Sequence, residues 1–455
     1  MSATTPPSPL HRLGRLGRAT ILNSTNALAA STILNVVVRF GSNLILTRLL
    51  APEAFGVVLL MMSVAYVLTM LSETGLAAFL LRTKAALEPR YYDTLWTIQV
   101  LRGLLLASVL LVMAPVIAGW LGKPEVAPVL RLASVIFVVD GFKSLSVLRE
   151  RRARRDYHNS AVEMAMQLVT TALTIALAWW LRSYWALVIG VILGYVVKTA
   201  ATYVCYRSPW HRLRLDRGVA RELWVFSRFI AASSVLTIFV NQFDKFFVIA
   251  EMPLATAGLY NMAVTLTAVA ATFVMSHAAR IHFAEVAHAF ANGRGGPDVY
   301  YRPMRLIRPA LLFACAGGVT FGETFFEALF DPRYLQAGTF FSILVIGPLL
   351  SVFSRPAAQA MVALGQPRTQ FVADLMRIAW LGGVGLSAYA ISGFYGLLYA
   401  VALVEVLPVV YFTILLVREG LFDLRREVPG VLAIILGLGA GMLATWGYDR
   451  LTAVL

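Results

Sequence analysis

Two stretches of this chain, Ala29-Ala-Ser-Thr-Ile-Leu-Asn-Val-Val-Val38 and Ala231-Ala-Ser-Ser-Val-Leu-Thr-Ile-Phe-Val240, match without a gap at an offset of 202 residues. Their polar positions coincide at a spacing of i, i+3, i+7, i+10 and i+11, which places each polar set on one helix face. The sets are Thr32, Asn35, Arg39, Ser42 and Asn43, and Ser234, Thr237, Asn241, Asp244 and Lys245. A repeated apolar helix with a polar stripe predicts two pseudo-symmetric halves that face a shared cavity. Chance similarity between two apolar helices is the alternative.

The composition excludes a water-soluble domain. Of the 455 residues, 59% are hydrophobic and 14% are charged, and the mean hydropathy is +0.74. We predict an all-α polytopic membrane protein with about thirteen apolar segments of bilayer-spanning length. The predicted segments are 24–47, 54–81, 95–120, 127–148, 158–181, 184–206, 223–248, 255–284, 305–329, 337–363, 370–391, 393–416 and 428–448.

The net charge is +15, and the positively charged residues are distributed unevenly between the two sides of the predicted membrane topology. Counted over alternate connections, one side of the membrane has 25 Lys and Arg residues and the other has 5. The positive-inside rule therefore places the N-terminus in the cytoplasm. Since the positive charge has this topological explanation, nucleic-acid binding is disfavoured.

The repeat offset spans six predicted helices, an even number, so the two halves have the same orientation in the membrane. We predict a cytoplasmic tail (1–22), an N-lobe of six helices (23–206) and a cytoplasmic linker (207–222). A C-lobe of six helices (223–417) follows, and then a basic loop with an additional helix (418–455). The same offset relates Gly56 to Gly258.

Arg39 is the main candidate for substrate binding. It lies near the middle of the first predicted span, where a lipid-facing Arg would cost about 2.5–3.5 kcal/mol. A guanidinium group in a polar cavity would attract an anionic substrate, because its geometry matches phosphate oxygens. The alternative is an ion pair with an intramembrane carboxylate such as Glu73.

The other candidates lie on the two stripes and on the second span. The substrate-binding candidates besides Arg39 are Thr32, Asn35, Asn43, Asn241 and Lys245. Glu73 and Asp244 are candidates for ion coupling; Glu73 would share one helix face with Tyr66 and Thr69. The alternative to substrate binding by Lys245 is that its side chain extends along the helix end to the membrane surface. Further charges, including Asp140, Lys143, Glu163, Lys198, Arg355, Asp374, Arg377 and Glu405, are interpreted mainly as interhelical pairs.

No enzyme signature was found: the chain has no P-loop, no dinucleotide-binding fingerprint and no HExxH motif. Neither Cys205 nor Cys315 has an obvious partner, and the histidines form no metal pattern. We therefore expect neither catalysis nor a cofactor.

Several motifs resemble those of the bacterial polysaccharide flippases (Wzx type) of the MOP superfamily. The resemblance covers roughly residues 30–420. The motifs, in order, are Leu46-Thr-Arg-Leu-Leu-Ala-Pro-Glu-Ala-Phe-Gly56, Pro124-Glu-Val-Ala-Pro-Val-Leu-Arg131, Leu148-Arg-Glu-Arg151, Asn241-Gln-Phe-Asp-Lys245 with Gly258-Leu-Tyr260, Phe330-Asp-Pro-Arg-Tyr334 and Leu364-Gly-Gln-Pro-Arg368. Two features depart from the family. Ser276-His-Ala-Ala-Arg280 stands where a Pro-containing segment is expected, and thirteen spans are predicted in place of twelve or fourteen.

The resemblance implies two six-helix bundles arranged as a V around a cationic cavity in the bacterial inner membrane. It also implies transport of an undecaprenyl-pyrophosphate-linked oligosaccharide from the inner to the outer leaflet. The expected partners are membrane lipids, this glycan lipid and the polysaccharide polymerase or export machinery. No cofactor is implied beyond coupling to a proton or sodium gradient. The alternatives are a multidrug or cation antiporter of the same fold, a lipid II flippase, a polymerase or ligase, and a non-transporting scaffold.

Overall fold

The computed structural model describes residues 34, 36–83, 88–152, 156–206 and 210–454, and no strand occurs among them. The all-helical prediction is confirmed. The helices are α1 (36–49), α2 (Pro52–Leu71), α3 (Leu76–Arg82), α4 (Pro89–Trp120), α5 (Ala127–Gly141), α6 (Ser146–Arg152), α7 (Asp156–Leu181), α8 (Tyr184–Val204), α9 (Arg217–Glu251), α10 (Leu254–His277), α11 (Phe283–Ala291), α12 (Pro297–Tyr301), α13 (Ile307–Leu329), α14 (Leu335–Leu344), α15 (Ile346–Ala363), α16 (Arg368–Trp380), α17 (Leu386–Ala402), α18 (Val406–Arg418) and α19 (Val428–Val454).

Nine helices or helical runs in the described ranges are long and apolar enough to cross a membrane, so the chain is a multi-pass membrane protein. Three predicted segments are divided differently in the structure. Segment 54–81 is interrupted at 72–75, where Gly75 has a φ of 62° that glycine adopts readily. Segments 370–391 and 393–416 fall in one helical run, Arg368–Arg418, which is kinked at Gly393 (φ 61°). The count of thirteen spans stays a prediction.

The chain divides into two compact units. Of the described residues, the first unit contains those up to Leu46 and those of Ser72–Ala231, which form most of α1, α3 to α8 and the first turns of α9. The second consists of Thr47–Leu71 and Ala232–Leu455. The contacts of α2 are thus mainly with helices of the second unit, although the sequence-based division counts α2 in the N-lobe. A close helix crossing is the physical reason.

At this crossing, Gly56 on α2 and Gly258 on α10 leave no room for a side chain. A Cβ atom on Gly56 would lie 2.0 Å from the carbonyl oxygen of Leu254. A Cβ atom on Gly258 would lie 1.8 Å from the carbonyl oxygen of Pro52. Since Pro52 and Leu254 are also related by the offset of 202, the contact is reciprocal, as in a two-fold interface. The sequence duplication is therefore visible in the packing of these two helices.

We expect Gly56→Ala and Gly258→Ala each to destabilise the protein, because the added methyl group would push two backbones apart. Overpacking of this kind costs about 1–3 kcal/mol. Thermal unfolding in detergent measures the loss. Gly439→Ala is the matched control: Gly439 is also in a helix and has open space around its Cβ position. Equal melting temperatures for all three variants would contradict the role of the glycine contact.

In the second unit, the last helix packs tightly on α13. A Cβ on Gly437 would lie 2.4 Å from the carbonyl oxygen of Phe313, and one on Gly441 would lie 2.0 Å from Oγ1 of Thr320. The Thr320 hydroxyl also donates to the carbonyl oxygen of Leu438 (3.1 Å). Small residues and hydroxyl hydrogen bonds are how helices associate inside a bilayer. The additional C-terminal helix is thus part of the packed second unit.

A π-helical turn, Ala278–His282, follows α10. It falls in the segment where the sequence departs from the Pro-containing element of the resembling family. His282 is fully buried at its end, and its Nε2 lies 2.9 Å from the carbonyl oxygen of Tyr300. π-helical turns occur frequently at functional sites.

Residues 210–216, the strap, run extended along α4 in the first unit, although the sequence predicts a linker here. Alternate backbone N–H groups of the strap donate to side-chain oxygens of α4, as expected for an extended chain. These bonds run from Arg212 to Asp93 (3.2 Å), from Arg214 to Thr97 (3.0 Å) and from Asp216 to Thr94 (3.1 Å). The strap is thereby fixed to the first unit.

His211 anchors the strap. Its ring stacks on Trp96, and its Nε2 accepts a hydrogen bond from the backbone N–H of Leu145 (3.2 Å). Nε2 is therefore unprotonated, and burial lowers the pKa of His211 below its usual value, with a smaller opposing effect from Asp93.

The pH dependence of stability follows from this pKa. In the unfolded chain His211 gains a proton near pH 6.5, whereas in the folded chain it gains one only at a lower pH. The free energy of unfolding should therefore fall as the pH drops below about 6.5. We expect His211→Gln, which keeps an acceptor but cannot be protonated, to reduce the loss of melting temperature between pH 7.5 and 5.5. The exposed His288→Gln is the control. An unchanged pH profile in His211→Gln would exclude this role.

Candidate functional site

The structure places the predicted stripe of the first repeat only in part, because Thr32 and Asn35 lie outside the described residues. Arg39 is exposed on α1 and Asn43 is half-buried. The Ser42 hydroxyl donates to the carbonyl oxygen of Arg39 (2.8 Å). In the described part of the chain, no carboxylate forms an ion pair with Arg39, so the alternative pairing with Glu73 is not observed.

The predicted stripe of the second repeat lies on α9, in the second unit. The Asn241 amide donates to the carbonyl oxygen of Thr237 (2.9 Å), and Lys245 Nζ donates to the carbonyl oxygen of Asn241 (2.5 Å). Asp244 accepts a hydrogen bond from the Tyr260 hydroxyl. Asp244 therefore pairs with α10, while Lys245 lies along its own helix. Their roles in substrate binding and ion coupling stay predictions.

The predicted position of Glu73 on a helix face with Tyr66 and Thr69 is wrong. α2 ends at Leu71, and Glu73 lies in the connection before α3. Its Oε1 accepts the backbone N–H of Gly75 (2.8 Å), which stabilises the turn that breaks the predicted helix.

Six charged side chains of the first unit form what we term the Lys198 cluster. Lys198 on α8 interacts electrostatically with four charged residues from other elements, and Arg102 on α4 interacts with one of these four and with Glu73. The members of the cluster are Arg39, Arg102, Asp140, Lys143, Glu163 and Lys198. The cluster has four cations and two carboxylates, and Glu73, which interacts with Arg102, is a third carboxylate beside it, so a small excess of positive charge remains.

Hydrogen bonds at the end of α5 hold this cluster in place. The Gln99 amide on α4 donates to the carbonyl oxygens of Asp140, Gly141 and Lys143, at 3.2, 3.0 and 3.0 Å. Thr199, next to Lys198 on α8, donates to the carbonyl oxygen of Val139 (3.1 Å). The last carbonyls of a helix lack intrahelical partners, so these bonds satisfy them and fix Asp140 and Lys143.

The cluster is accessible. Arg39, Asp140, Glu163 and Lys198 are exposed, and Arg102 and Lys143 are half-buried. Lys198 lies six residues before the end of α8, which is about 9 Å along the helix. Because charges that face hydrocarbon at this depth are costly, we expect the cluster to face a water-filled space, where it can bind a polar anion.

Sequence reasoning identified Arg39, interpreted Asp140, Lys143, Glu163 and Lys198 mainly as interhelical pairs, and missed Arg102. Asp140 lies in the last turn of α5 and Lys143 lies just after it, and no ion pair joins the two among the described residues. The available signal was the recurrence of Lys and Arg residues in four separate apolar segments. Their convergence depends on tertiary packing.

A second charged network, in the second unit, has the interhelical pairing that the sequence predicted. Glu405 accepts from Arg355 Nη2 (2.8 Å), from Arg377 Nη2 (2.8 Å) and from the Ser354 hydroxyl (2.8 Å). Arg377 is 2% exposed and also contacts Asp374 (2.6 Å). Every charge in this network is matched and most of it is buried, so it is suited to joining helices α15, α16 and α18.

We expect Glu405→Gln to be strongly destabilising, because two guanidinium groups would lose their buried counter-charge. Breaking a buried ion pair costs about 3–5 kcal/mol. Asp374→Asn is the control within the same network: Asp374 is 30% exposed, and Arg377 keeps Glu405 in that variant. Thermal unfolding should show a much larger loss for Glu405→Gln, and equal losses would contradict this account.

Among the described residues, no three His, Cys, Asp or Glu side chains are arranged to hold a metal ion. Cys205 is exposed and Cys315 is buried, and both are free thiols. The expectation that the protein works without a cofactor stays a prediction.

A family model described as "Polysaccharide biosynthesis protein" matches residues 45–339, more than half of the chain. The chain belongs to this family. It is 23% identical to the teichuronic acid biosynthesis protein TuaB of Bacillus subtilis over 350 residues, covering 75% of this chain and 70% of TuaB. It is 26% identical to the succinoglycan biosynthesis transport protein ExoT of Rhizobium meliloti over 223 residues, covering 48% of this chain and 44% of ExoT.

Solved structures establish the fold of this polysaccharide biosynthesis family member. The lipid II flippase MurJ in an inward closed conformation superimposes with a TM-score of 0.69 at 10% identity, over 95% of this chain and 100% of MurJ. An inward-facing MATE multidrug transporter of the MOP superfamily superimposes with a TM-score of 0.61 at 13% identity, over 92% of this chain and 99% of the transporter. The predicted MOP fold is confirmed, and the relatives agree with the expectation of a transporter and not an enzyme.

Proposed function

We propose that this protein moves an undecaprenyl-pyrophosphate-linked oligosaccharide from the inner to the outer leaflet of the bacterial cytoplasmic membrane. The Lys198 cluster would bind the pyrophosphate. The observation that carries the proposal is the accessible excess of positive charge on the first unit of a chain that belongs to the polysaccharide biosynthesis family. The N-terminus would lie in the cytoplasm, so the cluster would be close to the leaflet where the cargo is made.

The chemistry of the cluster suits this cargo. A pyrophosphate diester offers several oxygen acceptors, and guanidinium and ammonium groups form charge-assisted hydrogen bonds with them. Arg39 is the best placed to contact the phosphates, because it is exposed and no carboxylate pairs with it among the described residues. The two carboxylates, Asp140 and Glu163, limit the net charge, so that binding would be reversible, as transport requires.

The cargo also has a polar and an apolar part. The sugars need a hydrated space, and the prenyl chain needs lipid. Alternating exposure of a polar site to the two sides meets both needs. The polar residues on α9, Asn241 and Lys245, would contribute to the glycan path. Asp244 and Glu73 would be the carboxylates that couple transport to a proton or sodium gradient.

We expect Arg39→Ala and Lys198→Ala each to lower the initial rate of glycan-lipid movement about ten-fold or more. Each removes a charged hydrogen bond, which contributes about 1.5–3 kcal/mol. The measurement uses proteoliposomes loaded with a fluorescent undecaprenyl-pyrophosphate oligosaccharide, with and without an imposed proton or sodium gradient. Arg131→Ala, which removes an exposed cation of α5 outside the cluster, is the charge-matched control and should stay within two-fold of the wild type.

Each other outcome has a definite meaning. Unchanged rates in both cluster variants would remove the cluster from the transport mechanism. An equal loss in Arg131→Ala would indicate a general effect of net charge. Movement of lipid II but not of the oligosaccharide lipid would favour the lipid II flippase, and movement of an organic cation in its place would favour the antiporter. The excess of cations in the cluster argues against cationic cargo.

A further inference from the structure

A cavity of about 490 Å³ lies in the second unit, between the segment 298–309 and the segment 425–430. Five arginines line it: Arg302, Arg305, Arg308, Arg425 and Arg426. The cavity lies where α13 and α19 begin, which are two of the helices long and apolar enough to cross a membrane. It is therefore located at the end of membrane helices, at the level where lipid headgroups are expected.

The inner wall of the cavity is a rigid, charge-balanced frame. Arg308 is 6% exposed, and its two terminal nitrogens contact the two carboxylate oxygens of Glu427 at 3.0 and 2.5 Å. The Tyr301 hydroxyl donates to the same carboxylate (2.6 Å). Burial and Glu427 hold the pKa of Tyr301 well above its usual value, so the hydroxyl keeps its proton. This frame fixes the start of α13 against the start of α19.

The rim of the cavity differs, because its positive charge is mostly unmatched. Arg426 pairs with Asp298 (2.6 Å) and Asp423 (3.2 Å). In the described part of the chain, no carboxylate pairs with the guanidinium groups of Arg302, Arg305 and Arg425, and all three are exposed. Three guanidinium groups around one cavity form a site for an anion with several oxygen acceptors, and phosphate is the anion that arginine matches best.

Exposed apolar side chains accompany these arginines. Leu306 is 83% exposed, Val428 is 51% exposed and Val431 is 52% exposed. A soluble phosphate would gain nothing from this apolar surface, whereas the acyl chains of a lipid would cover it. The combination of a basic pocket at helix ends with adjacent apolar surface is typical of anionic lipid recognition.

We propose that this cavity is a binding site for the phosphodiester headgroup of an anionic phospholipid, held by Arg302, Arg305 and Arg425, with the acyl chains along Leu306 and the first turns of α19. The bound lipid joins α12, α13 and α19 on the side of the membrane that the positive-inside rule assigns to the cytoplasm. This site is separate from the Lys198 cluster and does not depend on which glycan is moved.

The test measures lipid binding to the purified full-length protein, which is stripped of endogenous lipid in detergent. Dioleoyl phosphatidylglycerol is the probe, and native mass spectrometry and melting temperature are the readouts. We expect the triple variant Arg302→Ala/Arg305→Ala/Arg425→Ala to weaken binding about 100-fold, since each arginine near an anionic lipid surface contributes roughly five-fold. The single variants Arg305→Ala and Arg425→Ala should each weaken lipid binding about five-fold.

The matched control is Arg212→Ala/Arg217→Ala/Arg294→Ala, which removes the same net charge by replacing three exposed arginines that do not line the cavity. It should bind phosphatidylglycerol as the wild type does. Equal weakening in the two triple variants would overturn the proposal, because binding would then depend on overall charge.

Two further probes separate the sources of the phosphate. Dioleoyl phosphatidylcholine has the same acyl chains and phosphodiester but no net charge, and it should bind at least ten-fold more weakly. Glycerol 3-phosphate has a phosphate but no acyl chains, and it should leave the melting temperature unchanged. Equal binding of phosphatidylcholine and phosphatidylglycerol would refute selection of an anionic headgroup. If glycerol 3-phosphate raised the melting temperature as much as phosphatidylglycerol does, the ligand of the cavity would be a soluble phosphate ester and not a lipid.

Discussion

The close contact between Gly56 and Gly258 is the constraint on which the packing of α2 depends. Each glycine lies against the carbonyl oxygen of the residue that starts the other helix, so a methyl group on either one would force the two helices apart. Inside a bilayer the hydrophobic effect does not hold helices together, and close backbone approach through small residues contributes much of the association energy. The same device recurs where Gly437 and Gly441 of α19 meet α13. At these two crossings, the distance between the helices is therefore set by glycines that permit close backbone contact.

Charge has three distinct uses in the described chain. The network around Glu405 and Arg377 is buried and matched, and it joins helices at the cost of desolvating each ion. The Lys198 cluster is accessible and holds more cations than carboxylates, which suits a polyanionic cargo. The arginine-lined cavity combines a matched inner frame with an unmatched rim. Accessibility and the presence of counter-charge, taken together, separate a structural ion pair from a binding site, and residue type alone does not.

Family membership and local chemistry support the transport proposal independently. The family match and the relatives concern polysaccharide biosynthesis and transport, while the solved structures establish a MOP fold at identities of 10–13%. At such identities the comparison shows the fold alone. The cargo must therefore be argued from the side chains of this chain, and the pyrophosphate proposal rests on the cations around Lys198.

The sequence by itself determined the membrane class, the helical fold, the family resemblance and the duplication, because hydropathy, charge asymmetry and a repeated polar stripe are local or periodic signals. It also identified Arg39, since a cation in an apolar segment is conspicuous. Only the tertiary structure showed that Glu73 lies in a turn, that α2 belongs with the second unit, and that Arg102, Lys143 and Lys198 converge with Arg39. It alone showed the strap on α4 and the cavity between the starts of α13 and α19. These features depend on which helix faces meet and where backbones approach closely, and one sequence does not encode such distances in any local pattern.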